Sequence, residues 1–213
     1  MFDYCKDSKG YFKTWFVPTP SLFLKNNSLW WGLLKDFFKS WKTIFLLRFL
    51  HPSDKEPSVA ANVILYLGQN ELTLACIKQI IREVKSEQPT LKYYGHKEVL
   101  FYHIARAYES GISQFEVLKE DFHRYFENKS NTNSFENILL RAMAICTMII
   151  YKLPTSLIDK EFKILLQEIT DKKYKNIYPY FVGGFKRIAI FGSQAFTTTM
   201  VLKCLFLYKK ISQ

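Results

Sequence analysis

A chain of 213 residues with 48% hydrophobic side chains is long enough to fold as one compact domain with a sizeable core. Its net charge of +11 suggests that it binds anionic partners. The basic residues are scattered and match no nucleic-acid-binding motif, so a nucleic-acid partner is not expected. We find no signal-peptide core, no stretch suited to a confident membrane span and no Cys-x-x-Cys spacing, which together favour a reduced cytoplasmic protein.

The first 26 residues are predicted to be irregular and to pack on the domain, since Pro18 and Pro20 interrupt them. A helix is then predicted from about Ser28 to Leu50, rich in Trp and Phe and studded with lysine. Such a basic amphipathic helix either lies on an anionic membrane surface or covers a protein core. Peripheral membrane contact therefore stays open beside the cytoplasmic assignment.

Beyond this helix, nearly charge-free helices alternate with amphipathic ones. Residues 58–67 carry no charge, whereas residues 71–84 place their apolar side chains on one stripe. A helix that is apolar on all sides is buried on all sides, while a striped helix has one face in water. The pattern therefore predicts an inner and an outer layer of helices. It recurs in residues 99–107 and 115–125, and again in residues 135–151 and 158–169.

The inner helices are predicted to begin near residues 58, 97, 134 and 193. The first two steps are about 40 residues, the length of one helical hairpin repeat. Pro57 and Ser193 occupy positions typical of helix starts, and the last helix has Lys203 as its single charge before Lys209. No strand pattern competes with this interpretation. We therefore predict an all-α fold of helical hairpins, forming a single domain over residues 1–213.

The string from Ser53 to Gly68 (SDKEPSVAANVILYLG) resembles the terpenoid cyclase and prenyltransferase α/α-toroid superfamily. It is most similar to the short, squalene-cyclase-like bacterial members, in which an acidic turn precedes an uncharged helix ending in Tyr-Leu-Gly. The resemblance implies a curved or partly closed α/α-toroid that handles an isoprenoid or another hydrophobic small molecule. Further matching stretches fall in the expected order, at residues 10–16, 93–94, 102–107, 137–144 and 191–198.

The chain departs from this family at the motifs that carry its chemistry. It has neither the Asp-x-Asp-Asp box that protonates an alkene nor the Asp-Asp-x-x-Asp motif that holds magnesium, and the zinc ligands of protein prenyltransferases have no counterpart. No metal ion and no other cofactor is therefore expected. Two hypotheses follow: a cyclase-type or prenyltransferase-like enzyme, and a non-catalytic helical-repeat module that binds a lipid, a protein partner or an anionic membrane surface.

Asp54 and Glu56 are the candidate catalytic acids, because they immediately precede the first charge-free helix. To protonate an alkene, a carboxylic acid must stay neutral in a dry site prepared for its conjugate base. The alternative is a pair of acids that interact with the dipole at the start of a helix. Both interpretations stay open at this point.

Arg106 and Arg141 are single basic residues on otherwise apolar helices, and an inward-pointing guanidinium is well suited to a pyrophosphate group. They could equally pair with Glu109 and Glu136. The aromatic content of 17% fits either a cavity lined by rings that stabilise a carbocation or a Phe-rich core. The remaining candidate binding residues have the same two interpretations, cavity lining or core, and they are Asn62, Tyr66, Tyr94, Tyr102, His103 and Phe191.

Overall fold

A computed structural model describes residues 9–12, 55–86, 91, 94–179, 181–183 and 189–213 of this chain. The predicted helix at Ser28–Leu50 and all of the segment 1–26 except residues 9–12 lie outside the described residues. The described residues form seven α-helices and one pair of three-residue strands, so the all-α fold class is confirmed for this part of the chain. They are α1 (Pro57–Leu67), α2 (Glu71–Lys85), α3 (Lys97–Glu109), α4 (Lys119–Asn131), α5 (Ile138–Ile150), α6 (Thr155–Thr170) and α7 (Gln194–Ile211).

The helices pack in two layers. Helices α1, α3, α5 and α7 contact one another in series, while α2 packs on α1 and α6 packs on α5. Two short 3₁₀ helices, Ser113–Leu118 and Lys173–Lys175, follow α3 and α6. The inner helix α5 is buried at every position from Ile138 to Ile149, as its nearly charge-free sequence predicts.

The prediction of burial on all sides is wrong for the first and last inner helices. Helix α1 buries one face through residues such as Ala61 and Ile64, while its Tyr66 is 83% exposed. Helix α7 buries Val201 and Cys204 but leaves Leu202 exposed. The physical reason is position, since among the described elements each of these helices packs against a single inner neighbour. An apolar sequence therefore does not distinguish a central helix from a terminal one.

Aromatic side chains fill the space between the layers. The rings of Phe101 and Phe122 lie 4.4 Å apart at their centroids, and Phe122 meets Tyr151 edge to face at 4.8 Å. Tyr151 in turn stacks on Tyr108 at 4.6 Å, and its hydroxyl donates to the carbonyl of Phe115 at 3.1 Å. Such contacts are those of a packed core. The described aromatic residues therefore favour the Phe-rich core of the two interpretations.

A two-stranded antiparallel hairpin lies between α6 and α7, contrary to the prediction that no strand forms. Strand β1 (Phe181–Gly183) pairs with β2 (Ala189–Phe191), with Phe181 opposite Phe191. The strands are three residues each, too short for a periodic pattern to mark them in the sequence. Val, Ile and Phe favour extended backbone once Pro179 and Gly192 exclude a continuous helix.

Helix starts are fixed by local chemistry. Pro57 is the first residue of α1, and the Ser193 side chain caps α7 by accepting from the Phe196 N–H at 3.0 Å, as predicted. Helix α2 has a capping box, in which the Asn70 side chain accepts from the Thr73 N–H and the Thr73 hydroxyl accepts from the Asn70 N–H.

Loss of the α2 cap gives a first testable effect. We expect Asn70→Ala to lower the free energy of unfolding by about 1 kcal/mol, because it leaves first-turn N–H groups without their acceptor. Thermal unfolding followed by circular dichroism measures the change. Asn128→Ala is the matched control, since the Asn128 side chain caps no helix. Equal stability of Asn70→Ala and the unsubstituted chain would contradict the role given to this cap.

Candidate functional site

Three inner helices bring four polar side chains together. Arg106 of α3 lies near Asn62 of α1, with Nη1 3.4 Å from Oδ1. Its Cζ lies 5.9 Å from the ring centroid of Tyr102, one turn earlier on the same helix face. From α7, the Nζ of Lys203 donates to the Tyr102 hydroxyl at 3.2 Å and lies 5.2 Å from the centroid of the same ring. We name Asn62, Tyr102, Arg106 and Lys203 the cationic cluster.

Among the described residues, the two positive charges of the cationic cluster have no acidic partner. Arg106 and Lys203 are both half-buried, and within the described ranges neither lies within ion-pair distance of a carboxylate. In particular, Arg106 does not pair with Glu109, which was the structural alternative. Partly buried cations without a counter-charge are costly to the fold, and they are typical of sites that receive an anion.

Tyr102 joins the two cations and keeps its proton. Burial raises the pKa of its hydroxyl, although the nearby Lys203 ammonium acts in the opposite direction. A neutral tyrosine hydroxyl accepts one hydrogen bond and donates another. Lys203 is the donor to Tyr102, and no described residue accepts the hydroxyl proton, so this proton could bond an oxygen atom of a ligand. The cluster therefore combines two cations with a neutral hydroxyl donor.

Sequence reasoning selected three members of the cluster and missed Lys203. Its signal was nevertheless visible, because Lys203 is an isolated charge in an apolar stretch of α7. The same signal singled out Arg106 on α3. What no periodicity could show is that residues 102 and 203, which lie 101 positions apart, meet in space.

No known family model, curated protein or solved structure matches this chain. The resemblance to terpenoid cyclases therefore stays an interpretation of the motifs. Within the described part of the chain, no three His, Cys, Asp or Glu side chains are grouped so that they could hold a metal ion. None of the described helices is both long enough and apolar enough to cross a membrane.

Arg141, the second predicted pyrophosphate ligand, lies in a buried ion-pair network instead. Its guanidinium contacts the carboxylate of Glu161 through Nη1 and that of Glu168 through Nε, the latter at 3.2 Å. Arg141 is 3% exposed and Glu161 is fully buried. The alternative partner Glu136 pairs with His96 at 3.5 Å. Arg141 is thus paired with acids from α6, 20 and 27 residues further along the chain.

His103 lies beside the cationic cluster but points into the core. It is 7% exposed, its ring meets that of Tyr94 edge to face at 5.4 Å, and its Nδ1 has no hydrogen-bond partner among the described residues. Burial, and then the charge of Arg106, lowers the pKa of His103 to about 3. His103 and Tyr94 therefore form a neutral aromatic pair next to Arg106.

The lowered pKa of His103 predicts a pH dependence of stability. The unfolded chain takes up this proton near pH 6.5, whereas the folded chain does so only near pH 3. Between these values the unfolded state binds more protons, so the free energy of unfolding falls as the pH falls below about 6.5. We therefore expect His103 to lower the free energy of unfolding by about 2 kcal/mol when the pH falls from 7 to 5.

Replacing His103 with leucine removes the titrating group, so His103→Leu is expected to lose about 2 kcal/mol less than the unsubstituted chain between pH 7 and pH 5. Urea unfolding at several pH values measures how steeply the free energy of unfolding depends on pH in each of the two chains. His123→Leu, which removes a histidine from α4, is the matched control and is measured in the same way. Equal slopes in His103→Leu and the unsubstituted chain would overturn the assignment of a buried neutral imidazole.

The other predicted site residues lie at separate places. Asp54 is outside the described residues. Glu56 occupies the N-cap position of α1 and is 1% exposed. Tyr66 lies on the exposed side of the same helix, and Phe191 is the last residue of β2. Of the predicted set, the structure therefore brings together Asn62, Tyr102 and Arg106, with His103 and Tyr94 adjacent.

Proposed function

We propose that this protein binds the phosphate or pyrophosphate group of a hydrophobic ligand of the isoprenoid type at the cationic cluster. One observation carries the proposal: two half-buried cations, Arg106 and Lys203, flank one tyrosine ring without a carboxylate partner among the described residues. Binding at the cluster would supply the missing negative charge.

The donors of the cluster match the oxygen atoms of a phosphate. Arg106 offers a planar fork of N–H groups, Lys203 offers a compact ammonium, and Tyr102 offers its hydroxyl. Charge-assisted hydrogen bonds of this kind are shorter and about twice as strong as neutral ones. A group with several negative charges, such as a pyrophosphate, could engage both cations at once, which a single carboxylate could do less well.

Exposed apolar side chains next to the cluster favour a ligand with a hydrophobic tail. Tyr66 follows Asn62 by four residues on α1, and Phe206 follows Lys203 by three residues on α7. Tyr66 is 83% exposed, and Phe206 is exposed as well. Large apolar side chains in water next to a polar site are typical of binding surfaces. An isoprenoid tail lying along these side chains would shield them from solvent.

A cyclase-type reaction is the second candidate, favoured by the burial of Glu56 at the start of α1. Six residues separate Glu56 from Asn62, which is about 9 Å along a helix axis. A carboxylic acid in this dry position would donate its proton to a tail that lies along the start of α1, and not to one that lies along Tyr66, ten positions further on. The proposal of binding stands without this reaction, because the cationic cluster does not include Glu56.

The experiment compares ligands that share a headgroup or a tail. Purified protein is titrated with inorganic pyrophosphate, farnesyl diphosphate, farnesol and vesicles containing phosphatidic acid, and the ligand is analysed afterwards by mass spectrometry. We expect farnesyl diphosphate to bind tightest and pyrophosphate alone to bind more weakly, with farnesol weakest. Tighter binding to the vesicles than to farnesyl diphosphate would assign the headgroup to a membrane lipid.

Two further outcomes of this experiment decide between the hypotheses. Unchanged farnesyl diphosphate after incubation identifies a binding module, whereas a cyclised product that Glu56→Gln abolishes identifies an enzyme. Equal affinity for farnesyl diphosphate and farnesol would contradict headgroup recognition, and with it the proposed function.

A further inference from the structure

An open groove lies on the opposite side of α3, away from the cationic cluster. It has a volume of about 350 Å³ and lies where the end of α2, the start of α3 and the middle of α4 meet. The lining residues come from all three helices, and they are Val84, Lys85, Lys97, Phe101, Asp121, Arg124, Tyr125 and Asn128.

The groove has a fixed apolar floor. Phe101 packs against the Tyr125 ring edge to face at 5.0 Å, and Val84 lies beside them in the lining. The Tyr125 hydroxyl donates to the buried carboxylate of Glu98 at 2.8 Å, and Lys129 pairs with the same carboxylate at 3.3 Å. These bonds hold the Tyr125 ring in one orientation. The floor is therefore preformed rather than assembled by a ligand.

The rim of the groove is positively charged. The described lining contains three cations, Lys85, Lys97 and Arg124, and one acid, Asp121. Within the described ranges none of the three cations forms an ion pair. Lys97 is the first residue of α3, where a cation is disfavoured by the helix dipole. The helix dipole therefore does not explain Lys97, whose Nζ lies 5.8 Å from the centroid of the Tyr125 ring, so that the ammonium stands over the floor of the groove.

We infer that this groove docks an acidic peptide segment that carries one bulky apolar side chain. The floor of Val84, Phe101 and Tyr125 receives the apolar side chain, and the three rim cations face the flanking carboxylates. Asp121 and Asn128 favour a peptide as the partner. The carboxylate can accept from the N–H groups of an extended backbone, and the amide can donate to its C=O groups. A carboxylate in the lining repels a dense polyphosphate, so a nucleic acid fits less well.

The test uses fluorescein-labelled pentapeptides in which two glutamates flank each side of a central leucine or phenylalanine, with fluorescence anisotropy as the readout. We expect saturable binding that weakens at least 10-fold in the double variant Lys85→Glu with Arg124→Glu. The matched control is Lys163→Glu with Lys209→Glu, which makes the same charge change at exposed positions outside the groove. It is expected to weaken binding less than 2-fold.

Several results would overturn the inference. One is that no peptide binds at millimolar concentration. Another is that the groove variant and the control variant weaken peptide binding equally, with unchanged melting temperatures. Phosphatidylserine vesicles or single-stranded RNA that bind more tightly than the peptides, and lose binding in the groove variant, would assign the groove to those partners instead. Inorganic pyrophosphate binding, measured in parallel, is expected to stay unchanged in the groove variant because the cationic cluster is intact.

Discussion

Replacing Arg141 with methionine is expected to lower the free energy of unfolding by about 3–5 kcal/mol. It leaves the buried carboxylate of Glu161 without a cation among the described residues, and it leaves that of Glu168 with Lys173 alone, at 3.8 Å. One oxygen of Glu161 already lacks a hydrogen-bond partner among the described residues, so little else can compensate that charge. For a chain of this size the melting temperature should fall by roughly 10 °C. Differential scanning calorimetry and urea unfolding measure the two quantities.

A triple variant separates the lost charge from lost packing. Arg141→Met combined with Glu161→Met and Glu168→Gln removes the buried charges of the network and leaves the exposed Lys173 in water. Apolar replacement of buried ion pairs is often neutral or stabilising. We expect it to recover most of the stability that Arg141→Met loses. A loss below about 1 kcal/mol in the single variant, or no recovery in the triple variant, would contradict a structural role for this network.

The second large effect concerns the cationic cluster. Arg106→Gln combined with Lys203→Gln is expected to weaken the binding of farnesyl diphosphate about 100-fold or more, since each charge-assisted contact contributes about 1.5–3 kcal/mol. Isothermal titration calorimetry measures the affinity. The same double variant should unfold at an unchanged or higher temperature, because it removes two partly buried charges that have no acidic partner within the described part of the chain.

Lys209→Gln is the matched control for this double variant, since Lys209 is exposed on the same helix as Lys203. It should leave both the affinity and the melting temperature unchanged. A double variant that binds as the unsubstituted chain does would overturn the proposed site. One that loses binding and also unfolds at a much lower temperature would mean that Arg106 and Lys203 support the fold.

The sequence predicted the helices and their order well, because periodic hydrophobicity records which faces meet water. Helix α5 was expected to be buried on all sides and is so from Ile138 to Ile149. The same pattern failed for α7, whose Leu202 is exposed. Periodicity reports what a helix could bury, but the number of neighbours depends on where the helix lies in the array. The strand pair after α6 was missed because three residues carry no period.

The candidate site was less accessible from sequence than the fold. Arg106 and Arg141 have the same sequence pattern, a lone charge on an apolar helix. Within the described ranges, however, Arg106 has no acidic partner, whereas Arg141 pairs with two acids. Their difference depends on acids 20 and 27 residues away on another helix. Likewise Lys203 joins the site only through the packing of α3, α5 and α7. Long-range contacts of this kind leave no local pattern.

The most direct test of ligand binding at the cationic cluster is the guanidinium Nε–H resonance of Arg106 in protein labelled with ¹⁵N-arginine, assigned by its absence from the spectrum of Arg106→Gln. During titration with farnesyl diphosphate we predict a saturable shift of this resonance that follows the calorimetric binding curve, while the resonance of the ion-paired Arg141 stays in place. Binding that leaves the Arg106 resonance unmoved would contradict the proposed site.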